Sequence, residues 1–337
     1  MVSRRRLDAA GEAILLVDGG LPPALCRAAL ADIAPDCHAH KSLRLISCDA
    51  DQAVAHGVEI FGAQMEHATF QRMRRLTSRL PVRVALHPYS VLLSHEWLRT
   101  YARQFFSLDC MHVTSMGHMG SGRCRLPGAL GYTLAVGVAT EDGRPDVRCS
   151  VYRERPDIWV RCNHFLRHGD LEHYGGTSAA VCVAGAHSSH VVARLRRHGL
   201  VLSALQLRLL MKSLARPQVD PDWMRLLEPV PLPVGFEQQI RCVEIFADRL
   251  DTNVSLPMGQ PSLLAVSCFR SPTRDGVLLG EVPYSLTCSG QPPIVGVQEG
   301  IYQLASNSSE PVSISVHVSV RCHISIVVIP KLESHDE

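Results

Sequence analysis

A chain of 337 residues is long enough to bury a large core and to form two domains. With 34 Lys and Arg against 32 Asp and Glu, its formal net charge of +2 excludes the strong field of a nucleic-acid binder or a membrane-surface protein. No apolar run reaches the ~20 residues of a membrane span, and Ile14–Val17 is too short for the apolar region of a signal peptide.

In chain order, Ala13–Val17 predicts a short buried strand and Pro22–Ile33 a helix. Ser42–Ser47 alternates as a strand. Val54–Leu76 has a long helical pattern, with Val58, Phe61 and Met65 on one face. Val82–Leu86 predicts a strand. Glu96–Phe106 predicts an amphipathic helix carrying Trp97, Tyr101 and Phe105. Met111–Ser115 and Thr133–Val138 read as strands. Ser178–His198 reads as a helix, small and apolar first and basic at its end, the sense that the helix dipole favours. Such alternation predicts an α/β fold, a three-layer, mostly parallel sheet over residues 1–215. Pro217, Pro221, Pro229, Pro231 and Pro233 mark 216–236 as a linker. Residues 237–337 predict a small all-β sandwich domain. Its strongest segment is Val312–Ile329, where Ile314, Val316, Val318, Cys322, Ile324 and Ile326 alternate with Ser, His and Arg.

Twelve cysteines lie far apart with no Cys-x-x-Cys pair, so zinc is not indicated. Read as small hydrophobes in reduced form, they predict a cytoplasmic protein. His164 and His168 have the i, i+4 spacing of helical metal ligands but lack the glutamate of the zinc-peptidase motif, and read as structural. No metal or cofactor is expected. The basic runs Arg4–Arg6, Arg72–Arg75 and Arg194–Arg197 read as solvated faces or helix ends.

Three short segments carry the candidate chemistry. Asp18-Gly19-Gly20 puts a carboxylate at the carboxyl end of a buried strand, where α/β folds place ligands. His56-Gly57 precedes an apolar segment. Gly176-Thr177-Ser178 opens a helix, so that the Ser178 hydroxyl lies beside unpaired backbone N–H groups. Taken singly these read as a turn, a polar cap and a helix N-cap.

Together, in the order Asp, His, Ser, they resemble the subtilisin-like serine peptidases over about residues 12–200. Asp18-Gly19-Gly20 is similar to the family's Asp-[Ser/Thr]-Gly, and His56-Gly57 with Gly62 to its His-Gly-Thr-His-Val-Ala-Gly. Gly176-Thr177-Ser178 with Ala180 and Val183-Ala184-Gly185 resembles its Gly-Thr-Ser-x-Ala-x-Pro-x-Val-Ala-Gly. Met111–Gly120 resembles the strand that ends in Ala-Gly-Asn-x-Gly, with His118 at the Asn position.

The resemblance implies a subtilisin-like fold and an Asp18–His56–Ser178 triad. Ser178 attacks a carbonyl carbon, His56 moves the proton and Asp18 holds the imidazole tautomer. The Ser178 N–H and His118 donate to the oxyanion. Ser115, Met116 and Gly117 line the substrate pocket, and Leu86–Ser90 offers a strand edge to an extended peptide. Several positions depart from the family pattern. Val58 and Glu59 replace Thr and the second His, Cys182 stands where Pro is usual, and His118 replaces Asn. No prodomain is expected ahead of the first strand. The expected activity is cleavage of a restricted peptide or protein substrate, such as a precursor peptide, with no nucleic-acid or membrane partner. The β domain is then a site for a partner protein or a second copy. The alternatives are a peptide-binding pseudoprotease, and a transferase or macrocyclase in which an amine resolves the acyl-enzyme.

Overall fold

The computed structural model describes residues 13–21, 33–34, 37–54, 59–64, 69–80, 82–92, 98, 104–117, 125–146, 156–161, 175–218, 224–228, 232–247, 252–256, 262–270, 282–288, 294–297, 299–304, 312–318 and 322–331. The chain divides into two units. One comprises Met1–Ala204 and Ala215–Val230, the other Leu205–Leu214 and Pro231–Glu337.

The first unit is built on one sheet. β1 (Ala13–Asp18) and β2 (Glu59–Gln64) are joined by α1 (His38–Val54). α2 (Thr69–Arg79) leads to β3 (Val82–His87). β4 (Val91–Leu92) and β6 (Arg125–Leu126) form a separate two-stranded ribbon around β5 (Met111–Ser115) in sequence. β7 (Leu134–Ala139), β8 (Ile158–Arg161), α3 (Gly176–Arg197), β9 (Arg216–Pro217) and β10 (Arg225–Leu227) follow; α4 (Ala204–Leu214), which comes between α3 and β9 in sequence, belongs to the second unit but for its first residue. The order across the sheet is β2-β1-β3-β5-β7-β8-β10-β9, with β9 antiparallel to β10 and all other neighbours parallel. Two interior strands, β1 and β7, read Ala-Ile-Leu-Leu-Val-Asp and Leu-Ala-Val-Gly-Val-Ala and are buried at every position, as parallel strands covered on both faces must be.

Three expectations change. Ser42–Ser47 lies inside α1. Ala39, Ser42, Leu43 and Ile46 are all buried, the i, i+3, i+4, i+7 stripe of a helix whose first residues lie upstream of that window. The long helix expected over Val54–Leu76 is interrupted by β2, which pairs with β1 from Ala13↔Glu59 to Asp18↔Gln64. A parallel neighbour needs a crossover, and α1 supplies it. The expected linker contains β9 and β10, which extend the sheet at its β8 edge. Of the helices expected over Pro22–Ile33 and Glu96–Phe106, and of His164 and His168, all or most residues lie outside the described ones.

α3 runs against the sheet at close range. A Cβ on Gly185 would stand 2.1 Å from Leu86 Cδ2, so only a residue without a side chain fits there. α3 also packs on α1.

The second unit holds β11 (Arg241–Ala247), β12 (Thr252–Leu256), β13 (Ser262–Phe269), β14 (Tyr284–Cys288), β15 (Ile294–Val297), β16 (Glu299–Leu304), β17 (Val312–Val318) and β18 (Cys322–Pro330). They form two four-stranded antiparallel sheets, β11-β18-β13-β16 and β12-β17-β14-β15. Val312–Ile329 divides between them as β17 and β18. Ile314, Val316 and Val318 from one sheet, and Cys322, Ile324 and Ile326 from the other, enter a single core. Arg208 of α4 is 2% exposed, with its guanidinium 5.5 Å from the centre of the Phe269 ring, a cation–π contact.

Candidate active site

Asp18 closes β1 at its carboxyl end and is buried. Its Oδ1 accepts the Gly19 N–H at 2.7 Å, and Oδ2 accepts the Ser42 hydroxyl at 2.6 Å. His38 Nδ1 lies 2.7 Å from Oδ1 and 2.9 Å from Oδ2, so it carries the proton that both oxygens accept. Asp18 therefore has three donors, two of them on one helix at i and i+4.

The local sequence explains why that helix starts there. Cys37 occupies the N-cap, and its Sγ accepts the His40 N–H at 3.4 Å, the bond that Ser or Thr usually supplies. The turn after β1 is tied to α1 through Ala39 N–H and Gly19 O at 3.2 Å. Gly20, at φ +87°, allows the approach, since a Cβ there would stand 3.0 Å from Cys37 Cβ. The first residue of α1, His38, is thus delivered onto Asp18.

The imidazole expected to pair with Asp18 was that of His56. His56 lies outside the described residues, and Asp18 is engaged by His38. Glu59, three residues after His56, pairs with Ala13 at the opposite end of β1. His38 was legible only through a signal of another kind: a polar Cys-His-Ala-His run ahead of an apolar helical stripe.

Ser178 lies in the first turn of α3 and is 5% exposed, with its Oγ donating to the Pro88 carbonyl at 2.7 Å. Pro88 follows β3 directly. Thr177 Oγ1 and Ser115 Oγ are 2.6 Å apart, and Ser115 Oγ accepts the Gly117 N–H at 3.1 Å. The start of α3 is thereby fastened to the carboxyl ends of β3 and β5. β3 neighbours β1 and β5 neighbours β3, so Asp18, His38, Ser178 and Thr177 belong to one stretch of the carboxyl edge of the sheet.

Ser115 and Met116 are 2% and 4% exposed. Gly117 has φ +89°, and His118, the expected oxyanion donor, lies outside the described residues. The Gly175 N-cap makes no side-chain capping bond, so the first N–H groups of α3 receive no cap from that residue. The positive dipole end of α3 lies beside Ser178.

A second polar pair lies beneath. His112 Nε2 donates to Phe105 O at 3.1 Å, which leaves Nδ1 to accept from His87 Nε2 at 2.9 Å. Both rings are buried. Burial, reinforced by the charge of His112, holds the His87 pKa well below its usual value. Burial lowers that of His112 to about 4, against the opposing effect of the Phe105 carbonyl. Among the described residues, no three His, Cys, Asp or Glu side chains converge as a metal would require, and no helix is long and apolar enough to cross a membrane.

No family model matches the chain, and no curated protein matches its sequence. Solved structures similar to it include the self-cleaved protease domain of PatA, with a TM-score of 0.49 and 15% identity over 65% of this chain and 94% of that one. A cold adapted subtilisin-like serine proteinase matches with a TM-score of 0.48 and 15% identity, over 66% of this chain and 90% of that one. The PatG macrocyclase domain matches with a TM-score of 0.44 and 15% identity, over 63% of this chain and 85% of that one.

Proposed function

We propose that the chain is a subtilisin-like serine peptidase whose triad is Asp18, His38 and Ser178. The observation that carries this reading is the lodging of His38 Nδ1 between the two oxygens of a buried carboxylate. A carboxylate so placed fixes the imidazole tautomer and favours the imidazolium that proton transfer creates. The other ring nitrogen, Nε2, is then the base. It takes the Ser178 proton as Oγ bonds to the peptide carbonyl carbon, and returns it to the nitrogen that leaves when the C–N bond breaks. Water, activated by the same imidazole, then releases the acyl group from Ser178. The developing oxyanion is met by the Ser178 N–H at the start of α3 and, in this reading, by His118.

Before attack, the Ser178 hydroxyl exchanges the Pro88 carbonyl for His38. That exchange favours a peptidase with narrow substrate choice, such as one acting on a precursor peptide or a partner protein, since binding of the right peptide must displace the Pro88 bond. A second reading follows from the same bond. If Ser178 stays on Pro88, the site binds peptides without cutting them. A reducing, cytoplasmic setting is supported by Cys37, Cys110, Cys182, Cys242, Cys268 and Cys322, none of which is in a disulfide.

A fluorophosphonate probe tests the proposal. Covalent labelling that disappears in Ser178→Ala and in His38→Ala is the expected result. Labelling that persists in Ser178→Ala overturns it.

A further inference from the structure

The parallel sheet has a second pole, at the amino ends of β3 and β5. A cavity of about 520 Å³ opens there, between the end of α2, the segment before β5 and the end of α3. Its floor is apolar. Val82 is buried, and Val201 is 61% exposed, one of two large apolar residues so open among the described residues. Its rim is cationic: Arg74, Arg83 and Arg196 line it, Arg83 paired with Asp109 and Arg74 donating to Ser107 Oγ at 3.1 Å. Arg79 in the last turn of α2, Arg75 one turn earlier and Arg197 in the last turn of α3 are exposed as well.

Arg79 in the last turn of α2, and Arg194, Arg196 and Arg197 in that of α3, offset helix dipoles. Arg74 and Arg83 lie outside those turns, and their convergence with Arg196 on one cavity is not explained that way. The end of α3 is already closed by the His198 and Leu200 N–H groups, both of which donate to Leu195 O at 3.0 Å. A purely solvated face also has no need of an exposed valine between guanidinium groups.

We propose that this pole docks an acidic, amphipathic peptide segment. One apolar side chain enters the cavity over Val82 and Val201, and flanking carboxylates pair with Arg74 and Arg196. The chemistry favours a peptide over a phosphate polymer, because Val82 and Val201 offer an apolar side chain a contact that a polyphosphate cannot use. Resting on the peptidase reading, the segment belongs to the substrate, remote from the bond that is cut. α3 separates Ser178 from Arg196 by about 27 Å at 1.5 Å per residue. An extended chain needs more than about eight residues to cover that distance. Substrates long enough to reach both poles therefore gain affinity that short ones lack.

The test has two arms. The first measures binding of a fluorescent helical peptide with Glu and Leu at i, i+4 spacing, to the wild type and to Ser178→Ala. Expected is saturable binding in both, weakened about ten-fold or more by Arg74→Glu/Arg196→Glu and by Val201→Asp, with no binding of the Lys/Leu counterpart. Equal binding of the Lys/Leu peptide overturns the proposal, as does unchanged binding in these variants once circular dichroism shows them folded. Displacement by tripolyphosphate with Val201→Asp without effect shows an anion patch only, and overturns it too. The second arm compares hydrolysis of a short substrate with one carrying the acidic segment a dozen or so residues away. The Arg74→Glu/Arg196→Glu variant should raise KM for the long substrate about ten-fold, leaving its kcat and the short substrate unchanged. If the peptidase reading fails, the second arm is silent in every variant while the first still reads.

Discussion

His38 Nδ1 stands 2.7 and 2.9 Å from the two carboxylate oxygens of Asp18, with 43% of the imidazole side chain exposed against 2% of the carboxylate. One end of the pair is fixed in the interior and the other meets the solvent, which is how a general base must stand. His38→Ala should lower peptide turnover by about 10⁴-fold or more, as loss of a triad member does. His56→Ala should leave turnover at the wild-type level. The reverse pattern, read from kcat/KM on one substrate, would return the role to His56.

Ser42 donates to Asp18 from one turn beyond His38 and is itself buried. It orients the carboxylate and does not meet substrate. Ser42→Ala leaves Asp18 short of a donor in the interior and should cost about 2 kcal/mol of stability, the usual range for a bond to a charged group. Urea unfolding reads that loss. Turnover should fall with KM unchanged, because the imidazole is less well held. Ser42→Thr, which keeps the hydroxyl, should recover most of both.

Gly185 carries the close contact between α3 and β3. Gly185→Ala would drive a methyl into Leu86, and overpacking of this kind costs about 1–3 kcal/mol. Moving α3 also moves Ser178, seven residues towards its start. The substitution should lower both the melting temperature and the labelling rate at Ser178, and Leu86→Val in the same chain should restore part of each. Additive losses in the double variant would show that the two residues do not share the contact.

His87 and His112 set an acid limit. Both are held neutral by burial, with pKa values below the ordinary 6.5. As pH falls, the unfolded chain takes up protons first, so stability is whole above about 6.5 and is lost progressively towards about 4. For His112 the full loss is about 3 kcal/mol. Thermal unfolding followed from pH 7.5 down to 4.5 should show this slope, and His112→Asn should flatten it. An unchanged slope in that variant would clear the pair of responsibility.

The sheet was legible where its strands are short continuous apolar runs, as in Ile14–Val17 and Leu134–Val138. Asp18 and Ser178 were singled out because glycines lie within two residues of both and sharp backbone exits favour glycine. His38, the base on the proposed reading, was not singled out, for two physical reasons. Its helix begins on a cysteine N-cap, which carries no ordinary capping signature. Within it, Leu43 and Leu45 alternate with polar residues, so a window that omits Ala39 reads as a strand. β2 was lost for the complementary reason: Ile60 and Phe61 are adjacent apolar residues in a six-residue strand, too short for its period to show. In the β-rich unit, Val312–Val328 was legible residue by residue, but its division into strands of two sheets was not. The alternation passes unbroken through the change of sheet, since both sheets face one core.

The sheet order carries a consequence for how the chain is made. Asp18, His38 and Ser42 lie on the first strand and the helix after it, so the carboxylate and its imidazole can meet early in synthesis. The hydroxyl is encoded after β8 and reaches them only when α3 settles across strands already in place. A nascent chain that stops short of α3 is therefore unarmed. On the proposed chemistry, the polypeptide acquires the power to cut only once α3 has settled against the sheet.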